Sequence, residues 1–389
     1  MASARHTRYR PSARVRRRRR ALAAVASAVA IIAVVAVIGL VLLPRTTPSN
    51  PIDPAANAVP TSTPTQGPAP TPPPLSPAEK LLAQTSDPAV CAVTFRGDGV
   101  TDPPVLESQG TLYQHLPIPS RAGMVFAGWY STPQDAASFT ASARVNGAHA
   151  VTCVDREITL TAAWKTPEQN VADNTRIPIL MYHQFTSDPN GVTGWLRGNY
   201  AYIGDFEAQM DYIASNGFYL PTWPELAAFI DGRLSLPNHS VIITDDDCDV
   251  SWLQLAMPIS IEKKLLTTAF CITVDGTGPS PSPYIQQRSH THDMHRAGAN
   301  GKGLMVNSSA ADIAADLEKS AAILGAKEVV AYPFGHYNDV TKEGVREAGF
   351  EMGRTIEPGY VTIGTDKLAL PVQRINYGMG VDALISAIG

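Results

Sequence analysis

From residue 176 onward, short apolar runs alternate with longer amphipathic segments, and this pattern constrains the fold more than any other feature of the 389-residue chain. The alternation of β-type and α-type segments predicts βα units around a parallel sheet or barrel. Such folds place their functional residues beyond the carboxyl ends of the strands. The predicted strands are 177–182, 241–244, 267–274 and 329–332, and the predicted helices are 205–215, 252–264, 310–324 and 341–348.

Polar residues follow the predicted strands. His183 comes directly after the first strand, and the second runs into three consecutive aspartates at 245–247. The stretch 289–295 contains three histidines and one aspartate, and the last predicted strand leads to His336. Because the carboxyl ends of parallel strands meet at one edge, these side chains are expected to form one site.

The three aspartates and the histidine-rich stretch together predict a metal site. Like charges held close together raise each other's pKa unless a cation neutralises them. Two imidazoles with one carboxylate leave coordination positions open for water and substrate, as a catalytic Zn²⁺ or similar ion requires. The alternative is a solvated aspartate turn and a polar histidine loop. The occurrence of both clusters on one alternating β/α background favours the metal site.

Residues 176–376 resemble the polysaccharide deacetylases of the NodB-homology type, whose domain is a distorted (β/α) barrel. The run 177–183 is similar to the opening of that domain, and 243–247 stands in the place of its T-F-D-D-G motif. The stretch 290–295 resembles its H-[S/T]-x-x-H motif in a form one residue longer, and 331–335 its third motif. The resemblance therefore implies an α/β fold with a distorted (β/α) barrel as the catalytic domain over 176–389.

The resemblance also implies roles for individual residues. Asp246 would be the general base, and Asp247, His290 and His295 would bind a divalent metal, with Zn²⁺ the preferred ion. The reaction would be hydrolysis of an N-acetyl group, in which the base takes a proton from the attacking water. His292 is an alternative ligand to His295.

An acid must then protonate the leaving amine. The family often uses a late histidine, but none follows His336, so His183 and His336 are both considered. We prefer His183 as the second catalytic residue because it ends the first predicted strand.

The chain departs from the family pattern at three positions. Asp245 replaces the usual phenylalanine, Cys248 the usual glycine, and Ala331 the arginine that orients the base in many members. A side chain at Cys248 is costly if the backbone there needs a positive φ. Arg374 is a conjectural replacement for the missing arginine.

The first 78 residues predict an anchor and a linker. Nine arginines and no acid make 1–20 a basic cytoplasmic tail, and 21–43 is an uncharged stretch long enough for a transmembrane helix. The positive-inside rule then keeps the N-terminus in the cytoplasm and places the rest outside the cell, as a single-pass protein of the cell membrane. The proline-rich and threonine-rich stretch 44–78 predicts an extended linker. The alternative for 21–43 is a cleaved signal peptide.

Residues 90–165 predict a small β-rich module that resembles the internalin-type B-repeat, a β-grasp-like unit of bacterial surface proteins. Its aromatic residues Phe126, Trp129 and Trp164 are expected in its core and not on a ligand-stacking surface. Cys91 and Cys153 lie near its two ends and are a candidate disulfide.

Charge excludes one class of partner. Beyond residue 20 the chain has 22 basic and 35 acidic residues, so it lacks the basic surface expected of a nucleic-acid-binding protein.

The resemblance and the predicted anchor together predict a membrane-anchored, extracytoplasmic deacetylase of an N-acetylated polysaccharide such as peptidoglycan. The alternatives are a catalytically impaired relative that binds glycan in the same cleft, and a surface adhesin that acts through the β module.

Overall fold

The computed structural model describes residues 74–389. The predicted basic tail, the predicted membrane span and most of the predicted linker lie outside the described residues. Among residues 74–389, no helix combines the length and the apolar character needed to cross a bilayer. Residues Pro72–Gly389 make up one compact unit.

The described strands and helices alternate from residue 179 to the last helix. The strands, in chain order, are β1 Val90–Arg96, β2 Val105–Ser108, β3 Val125–Tyr130, β4 Arg144–Val145, β5 Glu157–Lys165, β6 Ile179–Tyr182, β7 Gln184–Thr186, β8 Tyr200–Tyr202, β9 Ile242–Asp247, β10 Thr267–Cys271, β11 Ile285–Ser289, β12 Val329–Ala331, β13 Met352–Pro358 and β14 Leu370–Arg374. The α-helices are Pro77–Leu82, Pro133–Ser138, Pro167–Ala172, Ile203–Ser215, Trp223–Ile230, Met257–Glu262, Ala310–Leu324, Asp339–Glu347 and Val381–Ile388.

Seven parallel strands close into a barrel in the order β10-β11-β12-β13-β14-β6-β9. The predicted α/β catalytic fold is therefore confirmed. The prediction omitted β11, β13 and β14. Polar residues occupy the middle of β11, and glycine and arginine interrupt β13, so neither strand has the apolar run by which a buried strand is recognised.

Local end signals explain the helix boundaries. The predicted helix 310–324 is confirmed as Ala310–Leu324. The Ser309 side chain caps its first turn, and Gly325 ends it in a left-handed conformation. The helix predicted over 252–264 is instead a π-helical turn, Trp252–Ala256, followed by the short helix Met257–Glu262. The prediction of one continuous α-helix there was wrong.

The small sheet has the order β2-β1-β5-β3-β4, with β1 and β5 parallel. Phe126 and Trp129 are buried, and their ring centroids lie 5.1 Å apart. Trp164 is half-buried and packs edge-on against Phe126. These rings pack in the core, as predicted. The resemblance to a B-repeat stays a prediction.

The small sheet shares its core with the barrel. The Phe126 amide donates to the Arg233 carbonyl at 3.1 Å, and the Ser235 amide donates back to the Phe126 carbonyl at 2.8 Å. The Arg144 guanidinium also donates to the Ser235 carbonyl, at 2.7 Å. One apolar cluster runs from Trp129 in this sheet to Phe270 in the barrel. The sheet therefore packs on the segment that leads into β9, away from the carboxyl end of that strand.

Candidate active site

Three of the predicted residues meet at the carboxyl ends of β9 and β11. Asp247 is the last residue of β9, and His290 follows β11 directly. One ligand atom from each of Asp247, His290 and His295 lies within 4.8 Å of the others. The Nε2 atoms of His290 and His295 lie 3.4 and 3.5 Å from Asp247 Oδ1. Among the described atoms, that buried oxygen has no hydrogen-bond partner.

The surroundings of these three residues fit a divalent metal. The Ala331 carbonyl lies 2.9 Å from His290 Nδ1, which assigns the ring hydrogen to Nδ1 and leaves the Nε2 lone pair facing Asp247. Gln184 Nε2 donates to Asp247 Oδ2 at 3.0 Å and fixes the carboxylate. Metal-binding histidines and carboxylates typically have such outer partners. Two imidazoles and one carboxylate leave coordination positions for water and substrate.

Asp246 lies beside this ligand set but has different partners. Its side chain is buried, Arg354 Nη2 donates to its Oδ1, and His183 Nε2 lies 3.4 Å from its Oδ2. Burial raises the pKa of Asp246, but the Arg354 guanidinium, with smaller contributions from His183 and His290, outweighs burial and lowers it. Burial lowers the pKa of His183, against the opposite effect of Asp246 and Asp247. Asp246 is therefore a carboxylate near pH 7, and the neighbouring His183 is neutral.

Arg354, the buried partner of Asp246, is a candidate functional residue that the sequence did not single out. It is fully buried on β13, and its register partner on β12 is Ala331, the position where the family pattern has arginine. The conjecture that Arg374 serves the base was wrong, because Arg374 donates to Asn199 at 2.6 Å and to Asn376 at 3.0 Å. A signal was present: 352–355 reads Met-Gly-Arg-Thr, and an arginine inside a buried strand needs a buried partner.

Asp245 is not among the converging ligand residues, and it does not share the partners of Asp246. Successive side chains of a strand point to opposite faces, so Asp245 and its neighbour Asp246 face different ways. Among the described residues, neither carboxylate oxygen of Asp245 has a hydrogen-bond partner. Burial, followed by the charges of Asp246, Asp247 and Asp249, raises the pKa of Asp245 well above its usual range. Burial therefore favours the protonated form of this side chain, and nothing in the structure explains a carboxyl group there.

Two of the alternative histidines lie outside the ligand set. The His292 ring Nδ1 lies 3.0 Å from Thr273 Oγ1, and His292 is not part of the cluster of converging ligand atoms. His336 Nδ1 accepts a hydrogen bond from the Gly303 amide at 3.0 Å. Of the two histidines considered as the acid, it is His183 that lies beside Asp246.

Both cysteine pairs form disulfides. Cys91 and Cys153 are joined across the small sheet, with Cα atoms 6.3 Å apart. Cys248 and Cys271 are joined beside the ligand cluster, with Cα atoms 4.9 Å apart. Only the first pair was predicted, because Cys91 and Cys153 lie near the two ends of one module. The pairing of β9 with β10 is what brings Cys248 and Cys271 together.

The ligand cluster opens into a cleft. A cavity of about 630 Å³ is lined by Asp247, His295, Trp252, Leu253 and Asp275, among others. This volume lies within the range of about 300–1,000 Å³ that is usual for small-molecule sites. A sugar residue therefore has room beside the three converging ligand atoms.

The fold and the site together define a class. A parallel α/β barrel that carries a buried carboxylate beside a two-histidine, one-carboxylate ligand set has the construction of a metal-assisted hydrolase.

Comparison with known proteins narrows this class. Over 187 residues the chain is 27% identical to the poly-β-1,6-N-acetyl-D-glucosamine N-deacetylase of Staphylococcus aureus, a match that covers 43% of this chain and 64% of that protein. The chain thus spans just under two thirds of the length of this curated relative. The similarity supports the predicted resemblance to polysaccharide deacetylases, which are hydrolases of carbon–nitrogen bonds. No family model matches the chain.

Solved structures of deacetylases also resemble the chain. IcaB from Ammonifex degensii is 20% identical, with a TM-score of 0.46, and the match covers 55% of this chain and 97% of that one. The deacetylase PplD of Streptococcus pyogenes, in complex with acetate, is 20% identical with a TM-score of 0.46, and the match covers 55% and 99% of the two chains.

Proposed function

We propose that this chain is a metal-dependent deacetylase that removes N-acetyl groups from an extracytoplasmic polysaccharide. One observation carries the proposal: the ligand atoms of Asp247, His290 and His295 converge within 4.8 Å, next to a buried Asp246 that is paired with Arg354. A purely structural ion pair would not require three further ligand atoms that converge at a cleft. The roles predicted for these residues are kept here as proposals.

The chain's own residues divide the work of hydrolysis. When bound by Asp247, His290 and His295, a divalent metal such as Zn²⁺ supplies Lewis-acid polarisation of water and of the acetamide oxygen. Asp246 accepts the proton of the attacking water, and Arg354 holds that carboxylate in its orientation. Positioned acid–base catalysis of this kind contributes about 10²- to 10⁴-fold to turnover.

His183 is proposed as the acid for the leaving amine. It lies 3.4 Å from Asp246 Oδ2, so the proton taken by Asp246 can pass to the His183 ring. From there it can pass to the nitrogen as the carbon–nitrogen bond breaks. Because the proton comes from the attacking water, His183 can be neutral before the reaction begins, and no further acidic residue is needed.

We propose a polymer of N-acetylglucosamine as the substrate. The similarity to a poly-β-1,6-N-acetyl-D-glucosamine N-deacetylase supports this class of glycan, and peptidoglycan is the other source of the same acetamido sugar. The test is acetate release by the purified full-length chain from β-1,6-linked N-acetylglucosamine oligomers, chitooligosaccharides and peptidoglycan, each with and without Zn²⁺. Zn²⁺-dependent release supports the proposal, and no release from any of the three contradicts it.

The catalytically impaired relative is the second candidate. The unpartnered buried Asp245 favours it, whereas Arg354 supplies from β13 the guanidinium that Ala331 removes from β12. Zinc binding without acetate release would select this candidate. The adhesin alternative receives no support, because Phe126 and Trp129 of the small sheet are buried.

Membrane anchoring through 21–43 is part of the proposal. Protease added to intact cells should remove the catalytic region and leave a short N-terminal fragment in the membrane. A soluble mature protein that begins near Val59 would show instead that 21–43 is a cleaved signal. The division into a tail 1–20, a linker 44–78, a module 90–165 and a catalytic domain 176–389 stays a prediction.

A further inference from the structure

The backbone that carries a proposed ligand has an unusual conformation. Asp247 and Cys248 have φ values of 79° and 55°, in the left-handed region that non-glycine residues rarely adopt. The resembling family has glycine at the second of these positions, which adopts such angles without steric cost. Here a residue with a Cβ occupies it, so another interaction must hold the chain in this conformation.

The Cys248–Cys271 disulfide supplies such an interaction. Cys271 is fully buried at the end of β10, and its register partner on β9 is Asp247. The bridge therefore ties the residue after one ligand to the strand residue directly opposite that ligand. Because the Cα atoms of Cys248 and Cys271 are only 4.9 Å apart, the turn after β9 has little freedom to move away from β10.

The same bridge reaches a second ligand. The His290 amide donates to the Cys271 carbonyl at 2.9 Å. Cys271 thus contacts the backbone of His290 through a hydrogen bond and the backbone next to Asp247 through a covalent bond. Two ligands from separate parts of the sequence are held to one buried residue.

We propose that the Cys248–Cys271 disulfide is a positioning element that holds Asp247 and His290 in metal-binding geometry, in place of the glycine of the resembling family. This inference rests on the proposed metal-dependent function. It assigns a role to a cysteine pair that the catalytic chemistry does not use. Zinc affinity should therefore depend on the bridge even though neither cysteine is a ligand.

The experiment measures zinc affinity by competition with a chromophoric chelator, on the full-length chain and three double variants. Cys248→Ala with Cys271→Ala removes the bridge and keeps a Cβ at position 248. Cys248→Gly with Cys271→Ala removes the bridge and also the Cβ. Double replacements are needed because a single one would leave a free thiol beside the site, and thiolates bind zinc. Cys91→Ala with Cys153→Ala removes the distant disulfide as the matched control.

The alanine pair should weaken zinc binding by about 10- to 100-fold, as loss of an outer support does at other metal sites. The glycine pair should lose less, and the Cys91/Cys153 control should bind as the wild type does. Circular dichroism and thermal unfolding check that each variant folds, and Cys248→Ala with Cys271→Val, which also keeps a Cβ at position 248, decides the question if the alanine pair does not fold. Equal zinc affinity in the wild type and in the folded bridge-free variants that keep a Cβ at position 248 overturns this inference alone. Wild-type protein that binds no zinc overturns the proposed function and this inference with it.

Discussion

The two halves of the candidate site are built differently. The ligand half takes Asp247, His290 and His295 from two short stretches of sequence, and the Asp247 side chain is 21% exposed at the cleft. The base half joins Asp246 to Arg354 across 108 residues, and both side chains are at most 2% exposed. In the ligand half, Asp247 and His295 line the cleft while His290 is buried, whereas the base half is a wholly buried pair whose geometry depends on the closed barrel. The two halves should therefore respond differently to mutation.

The largest expected effect is on the ligand half. His290→Ala should abolish stoichiometric zinc binding and reduce acetate release to background while the chain still folds, since it removes one of three ligands. Metal analysis of the purified variant checks this. His292→Ala is the matched control, because its ring lies outside the cluster, and it should retain zinc. Full zinc content in His290→Ala would contradict the assignment.

The second prediction separates the halves directly. Asp246→Asn keeps the size of the side chain but removes the proton acceptor, so turnover should fall by about 10²- to 10⁴-fold. Zinc affinity should change far less than it does in Asp247→Asn. Steady-state kinetics and zinc titration of both variants test this.

The opposite result for Asp246→Asn and Asp247→Asn would change the assignment of the three aspartates. If Asp246→Asn lost the metal and Asp247→Asn kept it, the motif would be displaced by one residue. Asp245 would then be the base, Asp246 a ligand, and Asp247 would stand where the family has glycine.

The third prediction concerns the buried pair. Arg354→Gln leaves Asp246 as a buried charge without its partner, which should lower the free energy of unfolding by about 3–5 kcal/mol. Because Arg354 lowers the pKa of Asp246, its loss raises that pKa, and the acid limb of the pH–rate profile should move to higher pH. Denaturant unfolding and kcat/KM against pH measure the two effects.

The matched control for this pair is Arg374→Gln. Arg374 donates to Asn199 and Asn376, so neither the unfolding free energy nor the acid limb should change as they do in Arg354→Gln. If Arg374→Gln moved the acid limb as far as Arg354→Gln, the assignment of Arg354 as the partner of the base would fail.

The smallest expected effect on the candidate site is at Asp245, which belongs to neither half. Because its folded-state pKa is raised, the contribution of Asp245 to stability should fall as pH rises above the unfolded value of about 4. Asparagine at position 245 cannot ionise, so the Asp245→Asn variant lacks this pH-dependent loss of stability. It should therefore gain stability over the wild type between pH 4 and pH 7 and keep its zinc affinity. Unfolding of the metal-free proteins at both pH values tests this, and a variant that is less stable at pH 7 would contradict it.

Local sequence patterns were enough to predict the fold class and the region of the candidate site. The alternation of apolar and amphipathic segments predicted the α/β fold, since side-chain periodicity follows from strand and helix geometry. The meeting of the aspartate and histidine clusters was expected because polar residues after buried strands collect at one edge of a parallel sheet. The choice of Asp247, His290 and His295 within those clusters came from the resemblance to the polysaccharide deacetylases.

Tertiary structure decided the rest. Arg354 faces Asp246 only because β13 and β9 close into the same barrel, and Cys248 meets Cys271 only because β9 and β10 pair in register. The packing of the small sheet on the segment before β9 likewise arises from a shared apolar core. A sequence pattern indicates which faces of a strand or helix are apolar. Which residues distant in the sequence come into contact depends on how those faces pack, and that packing involves the whole barrel.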